Sequence, residues 1–254
     1  MLGAIAGDLI GSVYEANPIK HKDFPLFHPD CRFTDDTVLT VAVAHALLTG
    51  QPYQVAIRDW ARRYPHAGYG ELFLRWLYAD NPQPYHSWGN GAAMRVSPIG
   101  WAFACEAEVL RQAACSAAIT HDHPEGIKGA QATALAVFLA RTGHDKATIK
   151  ARVAQLGYDL DVTLAALRPT YTFDVSCQGT VPAALVAFLE AESYEDAVRN
   201  AVSLGGDSDT LACIAGGIAG AFYGVPPAIR ARVEALLPPD LWAVVAAFCR
   251  RYGG

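Results

Sequence analysis

The sequence predicts an all-α protein, a single compact helical bundle spanning residues 1–254. Three observations carry that expectation. Segment after segment repeats apolar residues at helical spacing, and none shows the alternating, β-branched pattern of a strand. The run Leu211 to Phe222 is built of Leu, Ala, Cys, Ile, Gly and Phe without a charge, so as a helix it is apolar on every side and belongs in an interior. Gly3, Gly7 and Gly11 recur at every fourth position of the first apolar segment, a small-residue face suited to a closely packed neighbour.

Taken in order, Leu2 to Tyr14 reads as a short helix that carries Asp8 and ends at Glu15. Asn17 to Arg32, with Pro18, Pro25 and Pro29, has no periodicity and reads as a loop. Phe33-Thr34-Asp35-Asp36-Thr37 then opens the apolar helix Val38 to Leu48. Gln54 to Tyr64 and Leu72 to Tyr78 are amphipathic, joined by a turn at Gly68–Gly70. A long loop from Asn81 to Gly91 precedes a helix that resumes at Ala92 and is punctuated by Pro98 and Gly100. Helical periodicity returns in Glu106 to Ile119, Gly126 to Arg141, Ala147 to Leu156 and Val162 to Leu167. Phe173 to Gly179 reads as a polar loop before the apolar Val181 to Glu190. Ser193-Tyr194-Glu195-Asp196 resembles a capping box opening Glu195 to Leu204. Pro226 to Leu236 and Leu241 to Arg250 close the bundle, each started by a Pro-containing turn.

The totals narrow the function. A hydrophobic fraction of 52% against 18% charged describes a compact, Ala-rich globule with a substantial core. A net charge of −5 supplies no basic footprint for gripping nucleic-acid phosphates. Six scattered cysteines without a C-x-x-C pair point to reduced thiols and a cytoplasmic protein. The apolar amino-terminal segment lacks a basic flank and contains Asp8, unlike a signal peptide, and no apolar run is long enough to cross a bilayer.

Two stretches carry chemistry. Thr34-Asp35-Asp36-Thr37 and Asp207-Ser208-Asp209-Thr210 each place carboxylates and hydroxyls at the mouth of an apolar helix, the second on the Gly205-Gly206 turn. Capping explains either one alone, since Asp and Thr suit a helix amino terminus. Having the device twice, with no Lys or Arg nearby in sequence, points to metal. Oxygen ligands without Cys select Mg²⁺, Mn²⁺ or Ca²⁺ over zinc. If the motifs meet, they supply donors for two ions, and without metal their carboxylates repel one another.

The set Gly7-Asp8…Gly11-Ser12…Glu15, Phe33-Thr34-Asp35-Asp36-Thr37, Gly89-Asn90-Gly91-Ala92-Ala93-Met94-Arg95, Thr120-His121 and Gly205-Gly206-Asp207-Ser208-Asp209-Thr210 resembles the ADP-ribosylglycohydrolase family. The match extends in the family's motif order to about Gly224. The resemblance implies an all-α bundle with two Mg²⁺ or Mn²⁺ ions at its centre, held by Thr34, Asp35, Asp36, Asp207, Asp209 and Thr210. It implies Glu15 as the acid that contacts one metal and acts when substrate binds, with Asp35 and Asp36 beside it in catalysis. Ser87, Trp88, Gly89, Asn90, Gly91 and Met94 would line the substrate, and His121 would sit beside the distal ribose. The implied reaction is hydrolysis of the glycosidic bond between ADP-ribose and an acceptor, either a protein side chain such as arginine or serine or a small conjugate. The expected partners are ADP-ribose and its conjugates, with no membrane, no nucleic acid except as an ADP-ribosylated substrate, and a monomeric chain.

Other residues have plainer readings beside these. Asp8 is a second-layer carboxylate or a surface or capping acid. Gly89-Asn90-Gly91 has the form of an anion cradle at a helix start, and also of an ordinary turn. Arg95, among apolar residues, reads as half of a structural ion pair in preference to a phosphate ligand. Trp88 reads equally as a stacking platform or a loop filler, and His123 before Pro124 as a loop residue. The loop Phe173 to Thr180 falls where the family approaches adenosine, without one residue standing out. Cys177 has no basic neighbour in sequence to make a thiolate. Two rival functions follow: a metal phosphohydrolase of HD type, suggested by His121-Asp122, and a catalytically silent ADP-ribose-binding relative.

Overall fold

Ser208–Tyr223, the segment expected to be interior, is the axis of the structure. From Ser208 to Gly220 every one of its residues is buried. The computed structural model describes residues 1–253, and among these the only extended pairing is an isolated antiparallel bridge between Gly89 and Ser176. In chain order the helices are α1 (Leu2–Ala16), α2 (Asp35–Thr49), α3 (Tyr53–Arg63), α4 (Glu71–Tyr78), α5 (Gly91–Met94), α6 (Ser97–Ala102), α7 (Glu106–Ala118) and α8 (Pro124–Arg141). They continue as α9 (Lys146–Ala154), α10 (Leu164–Leu167), α11 (Cys177–Leu189), α12 (Tyr194–Val202), α13 (Ser208–Tyr223), α14 (Pro227–Leu236) and α15 (Pro239–Tyr252).

The glycine ladder of α1 packs on α13 as its spacing implies. A Cβ on Gly7 would stand 2.0 Å from the carbonyl oxygen of Ala212, and one on Gly11 would stand 2.4 Å from that of Ser208. The two backbones therefore touch, and this contact carries Asp8 of α1 to the amino end of α13. Tyr194 of α12 braces the pair by donating from its hydroxyl to the Gly3 carbonyl at 2.8 Å. Around α1 and α13 lie α2, α8, α11 and α12, and one apolar core runs from Met1 to Phe248.

Several boundaries differ from those expected, for local reasons. Helix α1 runs on to Ala16, so Glu15 lies in its last turn. Helix α8 begins at Pro124 because His123 caps it, its Nδ1 accepting the Glu125 N–H at 3.1 Å. Helix α11 begins at Cys177, not Val181. Ser176 Oγ accepts the Gly179 N–H at 3.0 Å, and the helix carries Pro182 inside it. The segment after Ala92 is two short helices, because Arg95 and Val96 break it before Ser97-Pro98 starts α6. Ser193 caps α12 as expected, accepting from Asp196 N–H at 3.1 Å, while the Asp196 carboxylate reaches Glu192 N–H instead of closing the box.

Candidate active site

The turn before α13 is the first part of the site. Gly205 and Gly206 both take left-handed backbone angles, φ 70° and 78°, which favour glycine. Asp207 caps α13 through its carbonyl, which accepts Leu211 N–H at 2.9 Å, and Asp209 falls in the first turn. Lys20, from the loop after α1, holds this turn from outside. Its ammonium donates to the carbonyls of Leu204 and Tyr171, each at 2.5 Å.

Asp8 is the second part. It is fully buried and is not the surface acid allowed by the sequence. Its carboxylate accepts from Thr34 N–H (3.0 Å), Thr34 Oγ1 (2.7 Å), Thr37 N–H (3.1 Å) and the Thr37 hydroxyl. Asp8 thus caps α2 from another helix and stands beside Asp209 of the second acidic motif. Its visible signal was a lone acid beside Gly7 in an otherwise apolar, glycine-laddered helix. Across the gap, Thr210 Oγ1 of α13 donates to Asp36 Oδ2 at 3.3 Å. Asp35 and Asp209, far apart in sequence, face the same cavity.

Carboxylate oxygens of Asp8, Asp36 and Asp209 lie within 4.8 Å of one another, and so do those of Glu15, Asp207 and Asp209. Asp209 belongs to both sets. None of the ion pairs among the described residues involves these five acids. Asp36 Oδ1 is buried with no hydrogen-bond partner. Burial, then the neighbouring Asp209 charge, pushes Asp8 up to about 7 against the pull of its four hydrogen bonds. Asp35, Asp36 and Asp209 are driven well above the usual carboxylate range, first by burial, then by the Asp209 charge at Asp35 and Asp36 and by Asp207 at Asp209. Asp207 is raised as well, by burial, while Asn90 Nδ2 donates to its Oδ2 at 2.7 Å. Five crowded carboxylates, an orphaned oxygen and no ion-paired cationic side chain among the described residues fit a hard divalent cation.

Above this centre opens a cavity of about 550 Å³. Glu15, Thr34, Asp35, Asp36, Asp207, Asp209 and Thr210 line it on one side, and Ser87, Gly89, Asn90, Gly91, Met94 and His121 on another. Asn90 also donates to Thr180 Oγ1 at 3.1 Å, joining the cradle to α11. The Phe173–Ser176 segment is zipped to the cradle: Asn90 N–H reaches the Val175 carbonyl at 2.7 Å and Cys177 N–H reaches the Trp88 carbonyl at 3.0 Å. Cys177 Sγ donates to the Gly89 carbonyl at 3.1 Å, and burial pushes that thiol up to about 12, which agrees with a structural role. Phe173 and Val175 line the cavity with large exposed surfaces and are the residues the sequence did not single out in that loop. The Trp88 ring is half exposed and lies outside the cavity wall.

Two further expectations need correction. Arg95 has no carboxylate partner. It is fully buried at the cavity wall and donates through Nη2 to the Ser116 carbonyl (2.8 Å) and Thr120 Oγ1 (2.9 Å). The His121-Asp122-His123 cluster does not form a centre. His121 Nδ1 contacts Thr120, His123 Nδ1 serves as a cap, and neither histidine joins a metal-suited group among the described residues.

Fold and site together define an all-α protein with an interior carboxylate centre suited to divalent cations, set beneath an open ligand cleft. The ADP-ribosylglycohydrolase family model matches residues 1–253, and the chain belongs to that family. It is 27% identical to ADP-ribosylhydrolase ARH3 of Mus musculus over an alignment covering 89% of this chain and 83% of that one. It is 24% identical to the ADP-ribosylarginine hydrolase Tri1 of Pseudomonas putida, over 89% of this chain and 70% of that one. A solved structure described as an ADP-ribosylglycohydrolase-related protein complex superposes with a TM-score of 0.72 at 24% identity, covering 98% of this chain and 96% of that one, and so shares the fold. No helix among the described residues is long and apolar enough to cross a membrane.

Proposed function

We propose that the protein releases ADP-ribose from an ADP-ribosylated acceptor by hydrolysing the glycosidic bond at the anomeric carbon, with two Mg²⁺ or Mn²⁺ ions in the carboxylate centre. The single observation that carries the reading is the pair of overlapping oxygen sets, Asp8/Asp36/Asp209 and Glu15/Asp207/Asp209, at the base of the cleft. Asp36, Asp207, Asp209, Thr34, Thr210 and Glu15 would hold the ions, with Asp35 at the cavity face, and Asp8 would fix the two threonines of α2. When bound, the ions supply Lewis-acid charge that orients water and lowers its pKa.

The chain's own residues supply the rest. Glu15, exposed at the rim, and the cleft-facing Asp35 and Asp36 are placed to accept or return a proton as the bond breaks through an oxocarbenium-like state. The glycines of Ser87–Gly91 leave room for an anionic diphosphate beside the cleft, and Phe173 and Val175 offer an apolar face for a base. The family and the names of the ARH3 and Tri1 relatives support ADP-ribose conjugates as the substrate class.

The test is a panel of arginine-, serine- and small-molecule-linked ADP-ribose conjugates, scored for free ADP-ribose with and without chelator. Turnover is expected to need divalent metal. Asp209→Asn should lower kcat by on the order of 10²-fold or more, the size of a lost electrostatic contact to the transition state. Full turnover by Asp209→Asn at saturating Mg²⁺, or release of phosphate instead of ADP-ribose, overturns the reading.

A further inference from the structure

Arg95 is the largest fully buried side chain, and its pairing is poor. Only Nη2 finds partners, while Nε and Nη1 find none. A buried guanidinium in that state costs stability, so packing alone gives no account of it. It lines the cleft itself, and its one side-chain hydrogen bond leads through Thr120 to His121, which lines the cleft too.

Thr120 Oγ1 accepts from Arg95, which has no acceptor of its own, so the threonine proton is left to be donated elsewhere. Two acceptors meet hydrogen-bond geometry, His121 Nδ1 at 2.7 Å and the Ala117 carbonyl at 3.5 Å, with the Tyr85 hydroxyl also beside Thr120. Hydroxyl donors settle at roughly 2.7–2.8 Å, so the proton points at the imidazole. A ring nitrogen that accepts is bare, and the neutral ring then carries its proton on Nε2. Neutrality is enforced by burial and, next, by the Arg95 charge, which together hold His121 well below the usual histidine range.

Nε2 faces the cradle. A Cβ on Gly91 would stand 3.2 Å from it and one on Gly89 3.7 Å, and both glycines line the cavity with His121. The missing side chains leave room for a ligand atom in front of the Nε2 proton. Behind the ring, Gly126 lets α8 close on it, since a Cβ there would stand 2.9 Å from His121 Cβ.

We propose that Arg95 and Thr120 are positioning residues that lock His121 as the neutral, Nε2-protonated imidazole, so that it offers a fixed hydrogen-bond donor to an acceptor oxygen in the cleft. His121 then takes no part in proton transfer, and a ligand group that can only donate is rejected at that point. The ligand's identity rests on the ADP-ribosyl reading above, while the tautomer does not.

The experiment uses the Mg²⁺-loaded protein labelled with ¹⁵N-histidine, its ring nitrogens read by long-range ¹H–¹⁵N correlation, together with calorimetric titration of ADP-ribose. Wild type is expected to show a protonated Nε2 and a bare Nδ1 at His121. Thr120→Val keeps the volume and removes the hydroxyl. It should move both ring signals towards the other tautomer and raise the ADP-ribose Kd about 5-fold, the size of one hydrogen bond. Thr120→Ser restores the hydroxyl and should return both readouts to wild type. A wild-type ring protonated on Nδ1 overturns the proposal, as does a Thr120→Val protein with either readout unchanged. An Nε2-protonated wild type that does not bind ADP-ribose leaves the lock standing and removes the ADP-ribosyl reading instead.

Discussion

The carboxylate centre should make the metal-free protein lose stability as pH rises, opposite to the usual behaviour of buried acids in ion pairs. Asp8 keeps its proton up to about 7 in the folded chain, whereas its ordinary value is 3.8. Between those values the folded state binds the extra proton, so the stabilisation is full below 3.8 and is lost as pH rises through about 7. That displacement corresponds to on the order of 4 kcal/mol for a fully buried group. Asp36 and Asp209 add to it in the same direction. At about 2–4 °C per kcal/mol for a chain of this size, the melting temperature in chelator should fall by on the order of 10 °C across the window. Saturating Mg²⁺ should restore it, because the ion binds only the folded, deprotonated centre. Asp209→Asn separates this effect from the rest of the chain's titration. It removes the charge that most strongly repels Asp8, so it should melt higher than wild type in chelator at alkaline pH and gain little from Mg²⁺. The assay is thermal unfolding by circular dichroism against pH, with chelator or Mg²⁺. A chelated wild type whose melting temperature is flat or rises with pH would falsify the electrostatic account of the centre, and so would an Asp209→Asn variant that melts no higher than wild type there.

Three other perturbations probe how the centre is held. Gly7→Ala puts a methyl 2.0 Å from the Ala212 carbonyl and must push α1 off α13, so it should cost about 3 kcal/mol and weaken Mg²⁺ binding together; a melting temperature equal to wild type would contradict the contact. Asn90→Ala removes the donor to Asp207 at 2.7 Å and should weaken metal affinity by about 10-fold or more, read by calorimetry, with the fold intact by circular dichroism. Lys20→Met frees the Leu204 and Tyr171 carbonyls, so amides of the Gly205–Gly206 turn should exchange hydrogen faster while those in the middle of α13 stay protected; equal exchange in the turn rules out the clamp.

What could be read from the sequence was local. The helical class, the interior character of α13 and the glycine ladder of α1 follow from spacing within a few residues. So does the presence of acids at two helix mouths, since Thr34 begins its helix through its hydroxyl and Asp207 through its carbonyl. Helix α11 starts inside the polar run Phe173 to Gly179 because the Ser176 hydroxyl caps it at Gly179 N–H, a local cap that polarity alone does not reveal.

What only the tertiary structure decided was which of these groups share one space. Asp8 and Asp36 meet Asp209 because two backbones touch along glycines separated by some two hundred positions, and no periodicity encodes that distance. Arg95 turned out to face Thr120 and not an acid, Phe173 and Val175 to line the cleft, and Trp88 to leave it. Spacing along a helix sets the face on which a residue sits, but its partner depends on how that face is buried. Burial is a property of the whole packed chain.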